Sequence, residues 1–481
     1  MSHLPQSASK SVAVLGGGVA GLSAACALVE AGYRVHLVER RNYLGGRASS
    51  YLHPGVNEYI DNCQHVLFGC CTNLIAFYER VGAASRIYWT NEMTMVEPGG
   101  RRSLLGPSSL PAPLHGLPRL LSAKAFSLAD KLALARAFSA MLRLNPKAPS
   151  AQMPLSEWLT RNGQTSGAID RFWRLVIASA LNAELESISV PYAAKVVREL
   201  FMNSAEAGSM GMSTVALSDL YAGAARFLTD RGSEILFSTN IEYATWNQSL
   251  LEWTLHARTD SISADYLVLA LPFEATAKLI PNMPAAPGAA TLATQAEAHE
   301  HWPICSVHLW FDREITDLDH AVLLDREIHW MFNKSRMQPW RKEGTSYIEL
   351  LVSTSKAFAA LERNQAIAQS IAELAEFFPA VRDAKLVKAA LIKEVRATFG
   401  VPPGVDGHRP AATQSPWPNS FLAGDWTQTG WPSTMESAAR SGHLAAEALC
   451  ASLGAPRTFL APDLKPKGLM KLVQKYLSQS S

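Results

Sequence analysis

Val12-Ala13-Val14-Leu15-Gly16-Gly17-Gly18-Val19-Ala20-Gly21 decides the fold. The four apolar residues have the length of a buried strand, and the Ala/Leu-rich stretch that follows, to about Ala31, has the composition of a helix. Gly16, Gly18 and Gly21 meet the G-x-G-x-x-G spacing. Missing side chains there permit a tight turn, approach of a pyrophosphate to the backbone, and close packing of helix on strand. The helix N-terminus, with Val19 and Ala20 in its first turn, then faces the phosphates. A second strand, Tyr33-Arg34-Val35-His36-Leu37-Val38, ends at Glu39, eighteen residues beyond Gly21, where a carboxylate can accept hydrogen bonds from a ribose. Arg40 follows at the same strand end. The expected class is α/β, with a Rossmann-like dinucleotide layer.

The 481 residues allow about three ordinary domains or two large interleaved ones. Forty-four Lys and Arg against 42 Asp and Glu give a net charge of +2, which disfavours a nucleic-acid binder. With 48 % hydrophobic and 18 % charged residues the chain is globular. Six cysteines are too few for a disulfide scaffold and the first ten residues lack an apolar export core, so a reducing cytosol is expected. Cys63, Cys70 and Cys71 cluster with His65, but neither a C-x2-C pair nor a second ligand pair follows, so they read as buried thiols and no metal is expected. No apolar run reaches the length of a spanning helix, which leaves only peripheral membrane contact.

Six residues beyond Glu39 stands Gly45-Gly46-Arg47. Glycine turn, ribose acid and Gly-Gly-Arg together resemble the FAD-binding fingerprint of the amine oxidase and phytoene desaturase superfamily. The resemblance implies FAD, with Arg47 beside the diphosphate, a place suited to a guanidinium that pairs two oxygens and keeps its proton. Near the other end, the strand Phe421-Leu422-Ala423 closes on Gly424-Asp425, and Ser433 or Thr434 can cap a helix opening at Met435. This is similar to the superfamily's C-terminal flavin motif, in which the Gly-Asp carboxylate holds a ribityl hydroxyl and the helix N-terminus, at Thr434 and Met435, faces the flavin. Ala264-Asp265-Tyr266-Leu267-Val268-Leu269-Ala270-Leu271-Pro272 resembles the superfamily's returning strand, and Ile241 is placed near the adenine by position.

The FAD-binding domain of the amine oxidase type is thus expected from 1–71, 206–294 and 386–450, interleaved with a mixed α+β substrate domain from 72–205 and 295–385. Helical periodicity marks Leu120 to Leu144, Ile169 to Leu185 and Ala357 to Phe378, and Cys305 to Phe311 reads as a strand. A second G-x-G-x-x-G is absent, which argues against a separate NAD(P)H domain. The tail, 451–481, carries Leu469, Leu472, Val473 and Tyr476 at helical spacing opposite lysines, a basic amphipathic helix able to lie on the cytoplasmic face of an inner membrane; the stretch Leu110 to Pro118 is a second candidate contact.

Asp61-Asn62-Cys63-Gln64-His65, with the short apolar run and Gly69 after it, closely resembles bacterial hydroxysqualene dehydroxylases, as does Thr429-Gly430-Trp431-Pro432-Ser433-Thr434-Met435-Glu436. The chain departs at Cys63, where that family usually has glycine. The resemblance implies replacement of the allylic hydroxyl of hydroxysqualene by hydride from reduced FAD, which an unidentified electron donor must regenerate. Hydroxide leaves poorly, so a proton donor is needed; His65, oriented by Asp61, with Gln64 beside it, are the candidate catalytic groups. Trp302, Trp310, Phe311, Trp330 and Phe332 are candidate walls for an allylic cation. A phytoene-type desaturase would run the same scaffold on oxidised FAD, an amine oxidase would need a cage for an amine, and a prenyl-binding carrier would need no working flavin.

Overall fold

In the computed structural model, which describes residues 10–338 and 345–479, the strand Ser11–Leu15 is central. Five parallel strands lie in the order Glu234–Leu236, Arg34–Val38, Ser11–Leu15, Tyr266–Leu269, Ser420–Leu422. From Val12 to Leu15 the central strand is apolar because both its faces are covered. Val12 and Val14 join Val35, Leu37 and Val268 in a core with the helices Val19–Glu30 and Met435–Ser452. Ala13 and Leu15, one residue out of phase, turn with Leu267 and Leu269 toward Trp253 and Leu255. The latter two belong to an antiparallel sheet of Ile241–Asn247, Glu252–Ala257 and Ser261–Ala264. The two long helices pack on each other at Gly442, where a Cβ would overlap the Ala20 carbonyl oxygen and stand 2.7 Å from the Ala24 nitrogen.

A second layer carries seven strands, in the order Leu386–Phe399, His301–Phe311, Ser346–Ser353, Trp330–Asn333, His320–Leu323, Met93–Val96, Arg102–Leu105. The boundary expected at 386 therefore falls at the start of a strand of this sheet, and the chain returns to the nucleotide layer only after Phe399. Pairing explains the displacement: ten residues of Leu386–Phe399, from its first to its last, pair along His301–Phe311 with two register shifts, a ladder that cannot be divided between layers. A smaller sheet, Val66–Phe68 with Met210–Ser213 and Ile87–Thr90, and the hairpin Ser50–His53 with Glu58–Asp61 join the two layers beside the site.

The helical stretch expected from Leu120 to Leu144 is two helices, Leu117–Ser122 and Leu128–Arg143. Ser127 caps the second, its side chain accepting from the Asp130 N–H while the Asp130 carboxylate accepts from the Ser127 N–H, a local signal stronger than the periodicity across the break. Ile169–Ala178 winds with the wide pitch of a π-helix and the helix stops at Asn182, which is left-handed at φ 44°, so Leu185 lies in a separate turn. The stretch from Ala357 to Phe378 is likewise split, into Lys356–Ala360 and Arg363–Phe377.

Candidate active site

The three glycines of the first turn are required for different reasons. Gly16 has φ 110°, and a Cβ on it would lie 2.5 Å from the Ala270 carbonyl oxygen; one on Gly21 would overlap the Gly16 carbonyl oxygen. Those two are fixed by the protein's own packing. A Cβ on Gly18 would meet only the Gly46 Cα, at 3.9 Å. The space over Gly18 is thus bounded by backbone: Gly45 donates its N–H to the Gly17 carbonyl at 2.9 Å, and Gly46 has φ 62°. The helix Val19–Glu30 opens into that space with no side-chain cap, so the N–H groups of Val19, Ala20 and Gly21 are available to an anion. The cradle fits a pyrophosphate.

Glu39, buried at the end of its strand, accepts from the Gly17 N–H (2.7 Å) and the Arg41 N–H (2.8 Å), which holds the carboxylate beside the glycine turn. Arg40 is exposed at the same strand end. Thr239 and Ser238 donate backbone N–H groups to the carbonyls of Glu39 and Arg41, which brings Ile241, two residues on, to this end of the cradle.

Arg47 connects the N-terminal and C-terminal motifs. Its guanidinium donates to Asp425 Oδ1 at 2.6 Å and to the Ala397 carbonyl at 2.9 Å, and Asp425 Oδ2 accepts from Ser433 at 2.6 Å. Burial pushes the Asp425 carboxyl up, but Arg47 and Ser433 outweigh it and hold it below the usual range. Thr434 caps the helix starting at Met435 by accepting from the Ser437 N–H at 3.1 Å. Arg409, buried, donates to the carbonyls of Asp425 and Thr427, both at 3.0 Å, and fixes the loop that presents this helix end.

Below the Gly-Gly-Arg turn, Asp61 to His65 form a polar floor. Sequence reasoning expected Asp61 to orient His65; the two do not hydrogen-bond. The Asp61 Oδ2 atom lies 2.6 Å from the ammonium of Lys334, and its Oδ1 accepts from the Ser50 hydroxyl (2.6 Å) and the Leu217 N–H (3.1 Å). Asp61 is already occupied because Lys334, 1 % exposed, is a buried cation that needs it. Lys334 also donates to Gln64 Oε1 at 2.5 Å and stands 3.2 Å from Glu349 Oε2. Burial raises both carboxyls; facing Lys334, Asp61 ends below the usual range, while Glu349 stays above it, pushed up by burial and by the charge of Asp61.

From Glu349 a chain of hydrogen bonds runs on. The Ser306 hydroxyl donates to Glu349 Oε1 (2.8 Å), so His308 Nε2 (3.0 Å) must be the donor to Ser306, and His308 Nδ1 accepts from the Tyr347 hydroxyl (2.7 Å). His65 is held instead by the Cys63 carbonyl, to which its Nδ1–H donates at 2.9 Å, leaving Nε2 free to exchange a proton. Burial lowers the His65 pKa. Gln64 Nε2 donates to the His65 carbonyl at 3.1 Å. Cys63 takes φ 63°, the left-handed conformation that suits glycine, so the cysteine is strained there.

Around this floor Cys63, Met210, Met212, Phe332 and Tyr347 form one apolar cluster, with Trp310, Trp330 and Phe68 partly accessible at its edge. Trp330 stacks on Phe332 and Trp310 on Tyr347, each pair within 8° of parallel. Trp310 lies at the edge of this cluster, with the Lys388 ammonium 5.2 Å from its ring centroid. Phe311, the next residue on the strand, faces the opposite side of the sheet, and Trp302 belongs to the core beneath the nucleotide layer.

Lys334, Glu349 and Arg409 were not singled out from the sequence. A signal existed for two of them. Glu349 interrupts the apolar strand Tyr347-Ile348-Glu349-Leu350-Leu351-Val352, and Lys334 directly follows Trp330-Met331-Phe332-Asn333, so each charge sits where burial demands a partner.

A parallel nucleotide layer with a backbone-lined phosphate cradle, and a second helix end tied to it through Arg47 and Asp425, defines a flavin-dependent oxidoreductase. The chain belongs to the family of flavin containing amine oxidoreductases, whose model matches residues 19–450, and its cofactor is FAD. A 15-cis-phytoene desaturase from Synechococcus elongatus is 25 % identical over 466 residues, covering 92 % of this chain and 96 % of that protein. A zeta-carotene desaturase from Synechocystis sp. is 26 % identical over 492 residues, covering 92 % and 97 %. Among solved structures, putrescine oxidase superimposes with a TM-score of 0.71 at 17 % identity over 92 % of this chain and 99 % of that one. Cyclohexylamine oxidase from Brevibacterium oxydans gives 0.65 at 18 %, over 93 % and 100 %. Likeness at these identities to the solved structures concerns the fold.

Proposed function

We propose that this protein is a hydroxysqualene dehydroxylase, which removes an allylic hydroxyl and puts hydrogen in its place. The observation that carries the reading is the Asp61-to-His65 segment, set against Arg47 and locked to Lys334 and Glu349, with Cys63 in a left-handed conformation that suits glycine. Protonation of the substrate oxygen lets the C–O bond break to give water and an allylic cation. FAD, held over Gly18 and Gly46 with the helix end at Met435 facing it, would supply when reduced the hydride for the new C–H bond, and an external electron donor would have to reduce it again. His65 offers Nε2 to the departing oxygen, Gln64 braces the turn that holds His65, and Lys334 with Asp61 braces Gln64. The ring of Trp330 and the apolar cluster beside it suit a cation that must not meet water.

A second reading rests on the relatives named above: a carotenoid desaturase would use the same site in the opposite direction, passing hydride from substrate to oxidised FAD. One experiment separates the two. Reduced enzyme incubated anaerobically with hydroxysqualene should yield squalene and oxidised flavin in a single turnover. Flavin that stays reduced, with oxidised enzyme instead dehydrogenating phytoene, would establish the desaturase.

A further inference from the structure

Three helical segments, two of them consecutive and the third at the tail, each turn a pair of leucines to water. Leu117 and Leu121 lie four residues apart on the helix Leu117–Ser122, Leu128 and Leu132 on Leu128–Arg143, and Leu469 and Leu472 at the start of the tail helix, Met470–Gln479. Leu121 is 55 % exposed, Leu128 70 % and Leu472 66 %. The segments adjoin. Lys131 donates its ammonium to the Leu121 carbonyl at 2.8 Å, the Met470 N–H donates to the Ala112 carbonyl at 3.1 Å, and Gly468 sits against Pro111 and Ala112.

The tail helix is fixed in rotation as well as position. Met470 is buried and Val473 packs on the same core, so the apolar stripe expected from the sequence is divided, with Val473 turned inward and Leu469 and Leu472 outward. The side chain of Tyr476 lies outside the described residues. Six leucines thus share one face of the molecule without packing against it, an apolar surface of the kind that marks an interaction site.

Charge selects the partner. Residues 110–132 and 460–479 contain seven basic residues and two acidic ones, Asp130 and Asp463. Asp130 is engaged in the cap with Ser127 and in a hydrogen bond with Thr165, and Asp463 is paired with Arg440. Of the neighbouring acids, Glu206 pairs with Lys467 and Glu92 lies 3.6 Å from Arg119. Lys465, Lys471 and Lys475, with Pro466 and Gln474, line an open cleft of about 510 Å³ beside the leucines. Leucines rimmed by lysines match a headgroup layer carrying negative charge above an acyl layer.

We propose that this composite face, rather than the tail helix alone, seats the protein on an anionic lipid bilayer. The proposal is independent of the reaction assigned above. Its test is cosedimentation of the full-length, FAD-loaded protein with phosphatidylcholine vesicles, with and without phosphatidylglycerol. Wild type should sediment with the phosphatidylglycerol vesicles. Leu121→Glu combined with Leu472→Glu, two changes at exposed positions on different segments, should weaken binding at least about tenfold with flavin content unchanged. Lys465→Glu combined with Lys471→Glu should remove the preference for phosphatidylglycerol. The proposal fails if wild type stays in the supernatant, or if the leucine variant binds as wild type does. It also fails if the leucine changes only convert a dimer to a monomer, since the face would then belong to a second copy of the chain.

Discussion

Gly18 and Gly21 stand in one motif, yet they should respond to substitution in opposite ways. Over Gly21 a Cβ overlaps the protein's own backbone, whereas over Gly18 it enters space that the fold leaves open. Gly21→Ala should therefore cost about 3 kcal/mol of stability or more, visible in thermal unfolding. Gly18→Leu should fold and melt as wild-type apoprotein does, yet lose at least about tenfold in FAD affinity by flavin titration. His65 carries a second prediction. Its acid form is the protonated imidazole, and burial lowers its pKa, so that form is populated only below the ordinary histidine range near pH 6.5. If His65 assists departure of the hydroxyl, anaerobic single-turnover rates should rise as pH falls through that range, and a rate that climbs with pH would exclude it. His65→Ala should keep FAD and accept chemical reduction, but turn over about 10²–10⁴-fold more slowly, roughly 3–5 kcal/mol of barrier. At this scale the sequence disclosed the backbone's needs better than the side chains' partners. Glycine spacing is written in consecutive residues, whereas the partner of Asp61 lies at Lys334, 273 positions away.

Elements were legible where a local signal and the tertiary fold agree. The strand at Val12, the helix capped at Thr434 and the strand through Cys305 all stand where apolar period and caps put them. The stretch from Leu120 to Leu144 was misread because its apolar period runs on across Ser127, although Ser127 and Asp130 spell the capping box that restarts the helix. The two helices of the nucleotide layer give the prediction proper to this scale. They approach so closely at Gly442 that a methyl group would press on the backbone at Ala20 and Ala24. Because Ala20 is in the first turn facing the phosphate cradle, Gly442→Ala should both lower the melting temperature, by about 1–3 kcal/mol of stability, and weaken FAD retention. A variant that melts early yet holds flavin as tightly as wild type would separate packing at the crossing from the geometry of the cradle.

For the molecule as a whole, the class of fold and the cofactor could be read from the two ends of the chain, because each end carries a complete strand, turn and helix. The division into layers was less legible. Pairing of Leu386–Phe399 with His301–Phe311 is decided by hydrogen bonds between strands, and neither strand's composition states which sheet it joins. The leucine face was visible only in fragments for the same reason, since its tail segment lies more than three hundred residues from the other two. The order of strands in the nucleotide layer has a further consequence, in the time domain. Leu15 and Leu422 lie two strands apart in space but 407 residues apart in the chain. At about 5–20 residues per second, roughly 20–80 s pass between their emergence from a ribosome. Throughout that interval the glycine turn exists without Asp425 to meet Arg47 and without the second helix to cover the first. A nascent chain therefore has half a cofactor site until Asp425 and the helix Met435–Ser452 have followed.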